Sequence, residues 1–298
     1  MNSENLLPCI RKPKRSSCLT IALILLSSFL VLVDVSDAAS RQRYENFESY
    51  ALGNMTAGQR ATTGYWTDDS GRITPDIVSS SLDGLAGPHG GSKMARFNYD
   101  TLNSATGWSS LQQNPTGIAF TNEIFYRYWI RFDKDYGASS IGSERKFGRI
   151  FTTSPVYNDL FLEVAPSEFI TVVLVNGSYP GVQHSIALSI TAWNKVEFYI
   201  NRSTGTVKLW VNNALKENYT GLNTAAGRWV DFYPASNWGD VENSGWRHGS
   251  NNHFYFDDLE IYSDVGTGAT GSMSDATITA GGSAGITPPM APVNLRVQ

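Results

Sequence analysis

Two stretches of the sequence gather aromatic and charged side chains onto one face, in a pattern that could meet a sugar polymer. Glu123 to Lys134 reads EIFYRYWIRFDK. Its strict alternation assigns Ile124, Tyr126, Tyr128, Ile130 and Phe132 to one face of a strand, and Glu123, Phe125, Arg127, Trp129 and Arg131 to the other. Trp193 to Asn213 reads as a hairpin, because Asn201-Arg202-Ser203-Thr204-Gly205 supplies turn residues between two alternating runs. Val196, Phe198, Ile200, Val207, Leu209 and Val211 make its apolar face. If Asn201 pairs with Thr206, then Tyr199 faces Lys208 and Glu197 faces Trp210, close enough to interact across the strands. Aromatic faces stack on sugar rings while planar or charged groups meet the hydroxyls. That chemistry nominates Trp129, Arg131, Trp193, Lys195, Glu197, Tyr199, Lys208 and Trp210 as ligand-binding residues. Basic side chains among aromatics would suit an acidic polysaccharide. The competing reading is a convex solvent face, whose cross-strand pairs simply stabilise the sheet.

Carboxylates suggest two further chemistries. Glu48 belongs to an expected first strand and Asp257 and Asp258 to the last, and such strands lie close together in many sandwiches. Oxygen ligands from those three would suit a structural calcium ion; no other cofactor is required. His248 and His253 sit in a Gly/Asn-rich stretch with no third ligand evident, which gives little support for a transition metal. Asp258 and Glu260 lie two apart on one strand face and could loosely imitate a glycosidase carboxylate pair. The alternative for them is an exposed acidic edge.

The elements that must position these groups are strands. Besides the three already named, strand composition marks Tyr44 to Tyr50, Ile77 to Ser81, Lys93 to Tyr99, Lys146 to Thr153, Leu160 to Ala165, Phe169 to Val175, Ser185 to Thr191, Arg228 to Tyr233 and His253 to Tyr262. Gly, Asn, Ser and Pro clusters separate them, and alternation with helices is missing. The expected fold class is therefore all-β, a two-sheet antiparallel β-sandwich over about residues 44–264. Residues 265–298 have the Gly, Ser, Thr and Pro content of a flexible tail. Its end, PPMAPVNLRVQ, resembles the opening of a truncated fibronectin type III module.

Residues 1–38 read as a signal peptide: Arg11, Lys12, Lys14 and Arg15 precede the apolar run LTIALILLSSFLVLV, and Ser36-Asp37-Ala38 offers a cleavage site. An uncleaved membrane anchor is the other reading of that run. Cleavage would leave 298 − 38 = 260 residues, without Cys9 and Cys18, and a charge of 19 − 24 = −5. The expected location is secreted or at the cell surface, with no disulfide framework and no membrane span after cleavage. No basic block is present, which argues against nucleic acid as a partner.

Phe47-Glu48-Ser49-Tyr50, the run from Trp193-Asn194-Lys195-Val196-Glu197-Phe198-Tyr199 to Leu209-Trp210-Val211-Asn212-Asn213, and Tyr255-Phe256-Asp257-Asp258-Leu259-Glu260-Ile261-Tyr262 together resemble the concanavalin A-like lectin/glucanase jelly roll, including its laminin-G-like and polysaccharide-lyase-like members. The resemblance implies a jelly roll, and relatives often hold a calcium ion near the positions of Glu48 and Asp257. The fold serves lectins, glycosidases, lyases and adhesion modules alike. The Glu-x-Asp-x-x-Glu motif of the glucanases is absent. Lyases of this fold need a Tyr or His base and a group that neutralises a uronate carboxylate. Gln183-His184 resembles their Gln-x-His element with one residue missing, a slip that turns one side chain to the opposite face. Tyr179, His184 and Arg127, with Lys146 and Arg149, could assemble such a centre. Three functions stay open: a non-catalytic, lectin-like polysaccharide-binding protein, a polysaccharide lyase acting by Tyr/His-assisted β-elimination, and a structural surface or matrix protein.

Overall fold

The computed structural model describes residues 40–56, 66–68, 75–98, 109–113, 122–134, 145–152, 158–165, 168–174, 184–224, 232–237 and 253–263. The chain divides into two compact units, Met1–Ser36 and Asp37–Gln298, and every described residue belongs to the second. The expected signal peptide, the 265–298 tail, Tyr179 and His248 lie outside the described residues.

The described residues form sixteen strands and no helix, so the fold is an all-β sandwich of antiparallel sheets. The nine-stranded sheet runs β14 (Ala214–Tyr219), β13 (Thr206–Val211), β12 (Asn194–Asn201), β7 (Glu123–Phe132), β16 (His253–Ser263), β5 (Met94–Asn98), β4 (Asp76–Val78), β2 (Gly53–Asn54), with β1 (Ser40–Glu45) also paired to β16. The seven-stranded sheet runs β11 (Ser185–Ile186), β10 (Glu168–Leu174), β9 (Asn158–Ala165), β8 (Arg145–Thr152), β15 (Phe232–Asn237), β6 (Ser109–Gln113), β3 (Trp66–Asp68).

The hairpin β12–β13 has the expected register: Asn201 opposes Thr206, Tyr199 opposes Lys208, and Glu197 opposes Trp210. The expected apolar faces of β7, β12 and β13 all enter the core, where they meet Phe147, Ile150, Leu160 and Leu162 of the second sheet. Burial of these large side chains is the main stabilising term in a chain whose sandwich contains no cysteine.

Several expected strands differ: Ile77 to Ser81 pairs only within Asp76–Val78, and β15 begins near the end of the expected Arg228 to Tyr233 and runs on to Asn237. Phe47 to Tyr50 is a turn, with Phe47 at φ 60. The buried Glu45 side chain holds it, accepting from the Phe47 amide at 2.7 Å, the Tyr50 hydroxyl at 2.9 Å and the Trp66 indole at 2.9 Å. Ser185 to Thr191 pairs only at Ser185–Ile186, because the following residues fold around the Asn194 side chain. A strand that alternation did not suggest, β14, follows a tight turn at Asn212 (φ 49) and Asn213 (φ 69), the left-handed pair a two-residue hairpin needs.

Across the core, the Tyr128 hydroxyl is fully buried with no hydrogen-bond partner among the described residues, packed onto Gly148 at φ +54. A Cβ at Gly148 would overlap that hydroxyl and strain the backbone. Gly148→Ala is expected to lower the unfolding free energy by about 2 kcal/mol or more. Tyr128→Phe, which deletes an unsatisfied polar group, should be neutral or stabilising. Urea denaturation of both variants checks the pair.

Candidate functional site

The face of the nine-stranded sheet turned away from the core carries the aromatic and charged residues singled out above, but it is not the solvent face that one reading expected. Phe125, Arg131, Glu197, Tyr199, Trp210, Tyr255, Asp257 and Tyr262 are all buried there. Register sets the groups in rows across the strands: Trp210–Glu197–Arg127–Glu260 in one, Lys195–Trp129–Asp257 in the next. Opposite charges therefore fall side by side. Arg127 pairs with Glu260, which Arg41 also approaches at 3.7 Å. Arg131 pairs with Asp83 at 2.8 Å, and Lys195 with Glu197 at 3.3 Å. Lys208 lies over the Tyr199 ring, 5.8 Å from its centroid. Trp210, 1% exposed, has no face to offer a ligand; its part is packing.

The carboxylates nominated for calcium gather at a seam. Along β16 the neighbour on one side changes from β5, which ends its pairing at Phe256, to β1, which begins at Leu259. Between them lies a β-bulge: Asp257 opposes Trp129 and Glu260 opposes Arg127, so β16 carries one extra residue, with Asp258 at φ 47. The bulge corrects the expectation that Asp258 and Glu260 share a strand face. Asp257 and Glu260 share the outer face instead, while Leu259 enters the core.

The segment leading into β5, Gly87 to Lys93, closes this seam with its backbone. The amides of His89 and Gly90 donate to Asp257 Oδ2 at 2.9 and 3.2 Å, and the Asp258 amide donates to Asp257 Oδ1 at 2.9 Å. Ser92 and Lys93 amides donate to Glu48 Oε1 at 2.6 and 2.7 Å, and the Ser92 hydroxyl to Oε2 at 2.7 Å. The approach is close enough that a Cβ at Gly90 would stand 2.6 Å from Asp258 Oδ2, and one at Gly91 2.5 Å from Glu48 Oε1. Burial alone would raise the Glu48 carboxyl, but these donors outweigh it and lower it. For Asp257 the balance goes the other way: burial and then the neighbouring Asp258 push it up to about 9. Among the described residues no group of three or more His, Cys, Asp or Glu is placed to hold a metal ion. Glu48 and Asp257, which the sequence suggested for calcium, accept from peptide N–H groups at this seam.

Two of the nominated tryptophans do converge. The His89 ring stacks on Trp129, 3.7 Å between centroids at 17°, and meets Trp193 edge-on at 6.0 Å. His89 Nδ1 lies 2.6 Å from Asp258 Oδ2, whose Oδ1 accepts from the Tyr44 hydroxyl at 2.8 Å. The Trp193 indole donates to Gly87 O at 3.2 Å. Buried Asn194 fixes the chain beside Trp193, donating to Ser189 O and Ala192 O at 2.7 and 3.1 Å and accepting from the Ser189 amide and Asn212 Nδ2. Trp129, His89 and Trp193 keep part of their surface in solvent, with the His89 side chain 30% exposed. Beside the patch, Asp83 anchors the Ser81 to Leu85 turn: burial would raise its carboxyl, but bonds from Ser81, Arg131, Leu85 and Lys134 hold it at about 2. His89 escaped the sequence reading; its signal was a lone imidazole between Gly-Pro and Gly-Gly.

Of the residues nominated for a lyase, His184 and Arg149 do not come together with Arg127. His184, half exposed, binds Glu217 through Nδ1 at 2.8 Å, and buried Glu217 also accepts from the Thr171 hydroxyl. Glu217 belongs to β14 and Thr171 to β10, so this carboxylate ties an edge of one sheet to the other. Arg127 stands with Glu260 on the outer face of the nine-stranded sheet, whereas Glu217 reaches across the core side. Arg149 forms a buried bidentate pair with Asp159, at 2.6 Å for each bond.

No protein-family model matches the chain, and no curated protein matches it. Solved structures similar to it include the cellulose induced protein Cip1, at 16% identity and TM-score 0.46 over 74% of this chain and 96% of that one. Another is domain 4 of AbnA, a GH43 extracellular arabinanase from Geobacillus stearothermophilus in complex with arabinotriose, at 15% identity and TM-score 0.46 over 82% and 100%. A third is the alginate lyase Aly36B, at 14% identity and TM-score 0.40 over 76% and 96%. Overlaps of this size at such identity assign no activity, which has to be argued from the site.

Three outcomes test the site's construction. Trp210→Ala is expected to cost about 3–5 kcal/mol of stability, as for a core aromatic; a cost near zero in chemical denaturation would return that face to solvent. Asp257, raised when folded, stabilises the fold fully below its unfolded value of 3.8 and loses that contribution as pH rises towards about 9. Melting across that window should show stability falling at up to about 1.4 kcal/mol per pH unit, a slope that flattens in Asp257→Asn. Finally, a calcium-dependent rise in melting temperature that a chelator reverses would show that an ion joins these carboxylates, and an unchanged melting temperature would leave them to the peptide N–H groups.

Proposed function

We propose that the protein is exported and binds a polysaccharide without transforming it, through the surface formed by Trp193, His89 and Trp129. The observation that carries this reading is the convergence of two indoles and an imidazole, all partly in solvent, on a frame whose polar groups are already bonded. Aromatic faces remove the CH faces of a sugar ring from water, and a fixed frame lowers the ordering cost of binding. The carboxylates around the patch favour binding over hydrolysis. Asp257 is sealed from solvent, Asp258 is held by His89 and Tyr44, and Glu260 is held by Arg127. Export rests on the basic, apolar and small-residue signature of residues 1–38.

One observation favours the lyase reading as a second possibility. Glu217 accepts from Nδ1 of His184, which leaves the other ring nitrogen as a base, and Tyr219 bonds the same carboxylate. Burial, followed by that bond, pushes the Tyr219 hydroxyl up to about 12. In this reading His184 would take the proton beside a uronate carboxylate as the glycosidic oxygen leaves.

Native gels containing polysaccharides separate the readings. Retarded migration that is lost in Trp193→Ala, at an unchanged melting temperature, is the expected result. Retardation indifferent to Trp193→Ala would move the site elsewhere. Growth of ultraviolet absorbance from an unsaturated uronate product, abolished by His184→Ala, would replace binding with catalysis. For export, the secreted chain should begin at Ala39; retention of residues 1–38 in a membrane fraction would make them an anchor.

A further inference from the structure

We infer that the Trp193 patch selects a neutral glycan over a uronate polymer, with His89 Nε2 as the polar contact that orients the sugar. The inference rests on the binding reading above and sharpens its substrate class. Of the four cations that sequence alone offered to an acidic polymer, three are already matched by carboxylates, and Lys208 lies over the Tyr199 ring. Arg127 is held by Glu260, Arg131 by Asp83 and Lys195 by Glu197, each among buried neighbours. Lys93, at the end of the arch that Gly87 to Lys93 forms over the seam, spends its ammonium on the carbonyls of Glu48 and Tyr50, at 2.9 and 2.7 Å. What the arch brings beside the aromatic surface instead is acidic: Asp258 against His89, and Glu48 under Ser92 and Lys93. A uronate carboxylate arriving here would meet like charge, with no cation among the described residues released to compensate it.

The imidazole adds a second discrimination. Its Nδ1 is committed to Asp258, its ring is clamped on Trp129, and its side chain is 30% exposed, so Nε2 is the edge left for a ligand. A neutral imidazole presents that nitrogen as an acceptor and a charged one presents it as a donor. A sugar hydroxyl both donates and accepts, so it pairs with Nε2 in either state. A carboxylate can only accept, so it pairs in one state and is repelled by Asp258 in both. Neutral hydroxyls therefore fit the patch whichever proton count His89 carries.

The test uses the exported chain in native gels containing β-glucan, xylan, alginate or polygalacturonate, each at low and moderate salt. Retardation by a neutral polymer, unchanged by salt, with none by the uronate polymers, is the expected pattern. Retardation in a uronate gel that weakens with salt would overturn the charge selectivity and leave the binding reading standing. Retardation in no gel would overturn the binding reading and this inference with it. His89→Ala should weaken the neutral interaction by roughly tenfold, the scale of one good polar contact. His89→Gln, which keeps a planar donor and acceptor, should recover part of that loss. Unchanged affinity in both folded variants would remove His89 from recognition. If His89→Ala melts before it can be assayed, the affinity of His89→Gln against the uronate polymers decides the question.

Discussion

The arrangement depends on one local irregularity, the bulge that sets Asp258 in the left-handed region between two pairings of β16. β5 pairs with the first half of that strand and β1 with the second, so the sheet would otherwise have a break in its hydrogen bonding at Asp257 and Asp258. Backbone donors and acceptors at such a break must find partners. Here side-chain carboxylates supply the acceptors, and the segment from His89 to Lys93 supplies the donors. Closing the seam also delivers His89 to Trp129. The stability of the sheet and the shape of the candidate binding surface therefore come from the same set of bonds.

The outer face of the nine-stranded sheet extends that logic. Buried charge is tolerable only when it is matched, and removing one member of a matched pair costs far more than the pair contributes. The strand register matches it by placing Arg127 between Glu197 and Glu260. Such a face is a poor place for chemistry, since its ionised groups are committed to each other. In the proposed function, recognition falls to the rim, where Trp193 and His89 reach solvent on a frame held by Asn194 and Asp83.

Much of this frame was legible in the sequence. The hairpin from Asn194 to Val211 announced its apolar face and its register, because alternation and turn chemistry act over short distances. Alternation separates two faces of a strand, but it does not say which of them meets water. That is why Trp210 and Tyr199 read as ligand groups and prove to be buried. The bulge at Asp258 was hidden for a related reason: one residue in the left-handed region leaves the composition of the strand unchanged. β14 had a usable signal in Asn212-Asn213 that the weak alternation of ALKENY obscured. His89 was out of reach, since the contacts that give it meaning come from Trp129, Trp193, Asp257 and Asp258, all far away in the sequence.

The most direct measurement is a titration of the protein with a neutral oligosaccharide, followed through its indole N–H resonances. The account requires saturable shifts at Trp193, a smaller response at Trp129 beneath His89, and a fixed Trp210. Shifts at Trp210 with Trp193 unmoved, or no indole response to a sugar that retards the protein in gels, would contradict it.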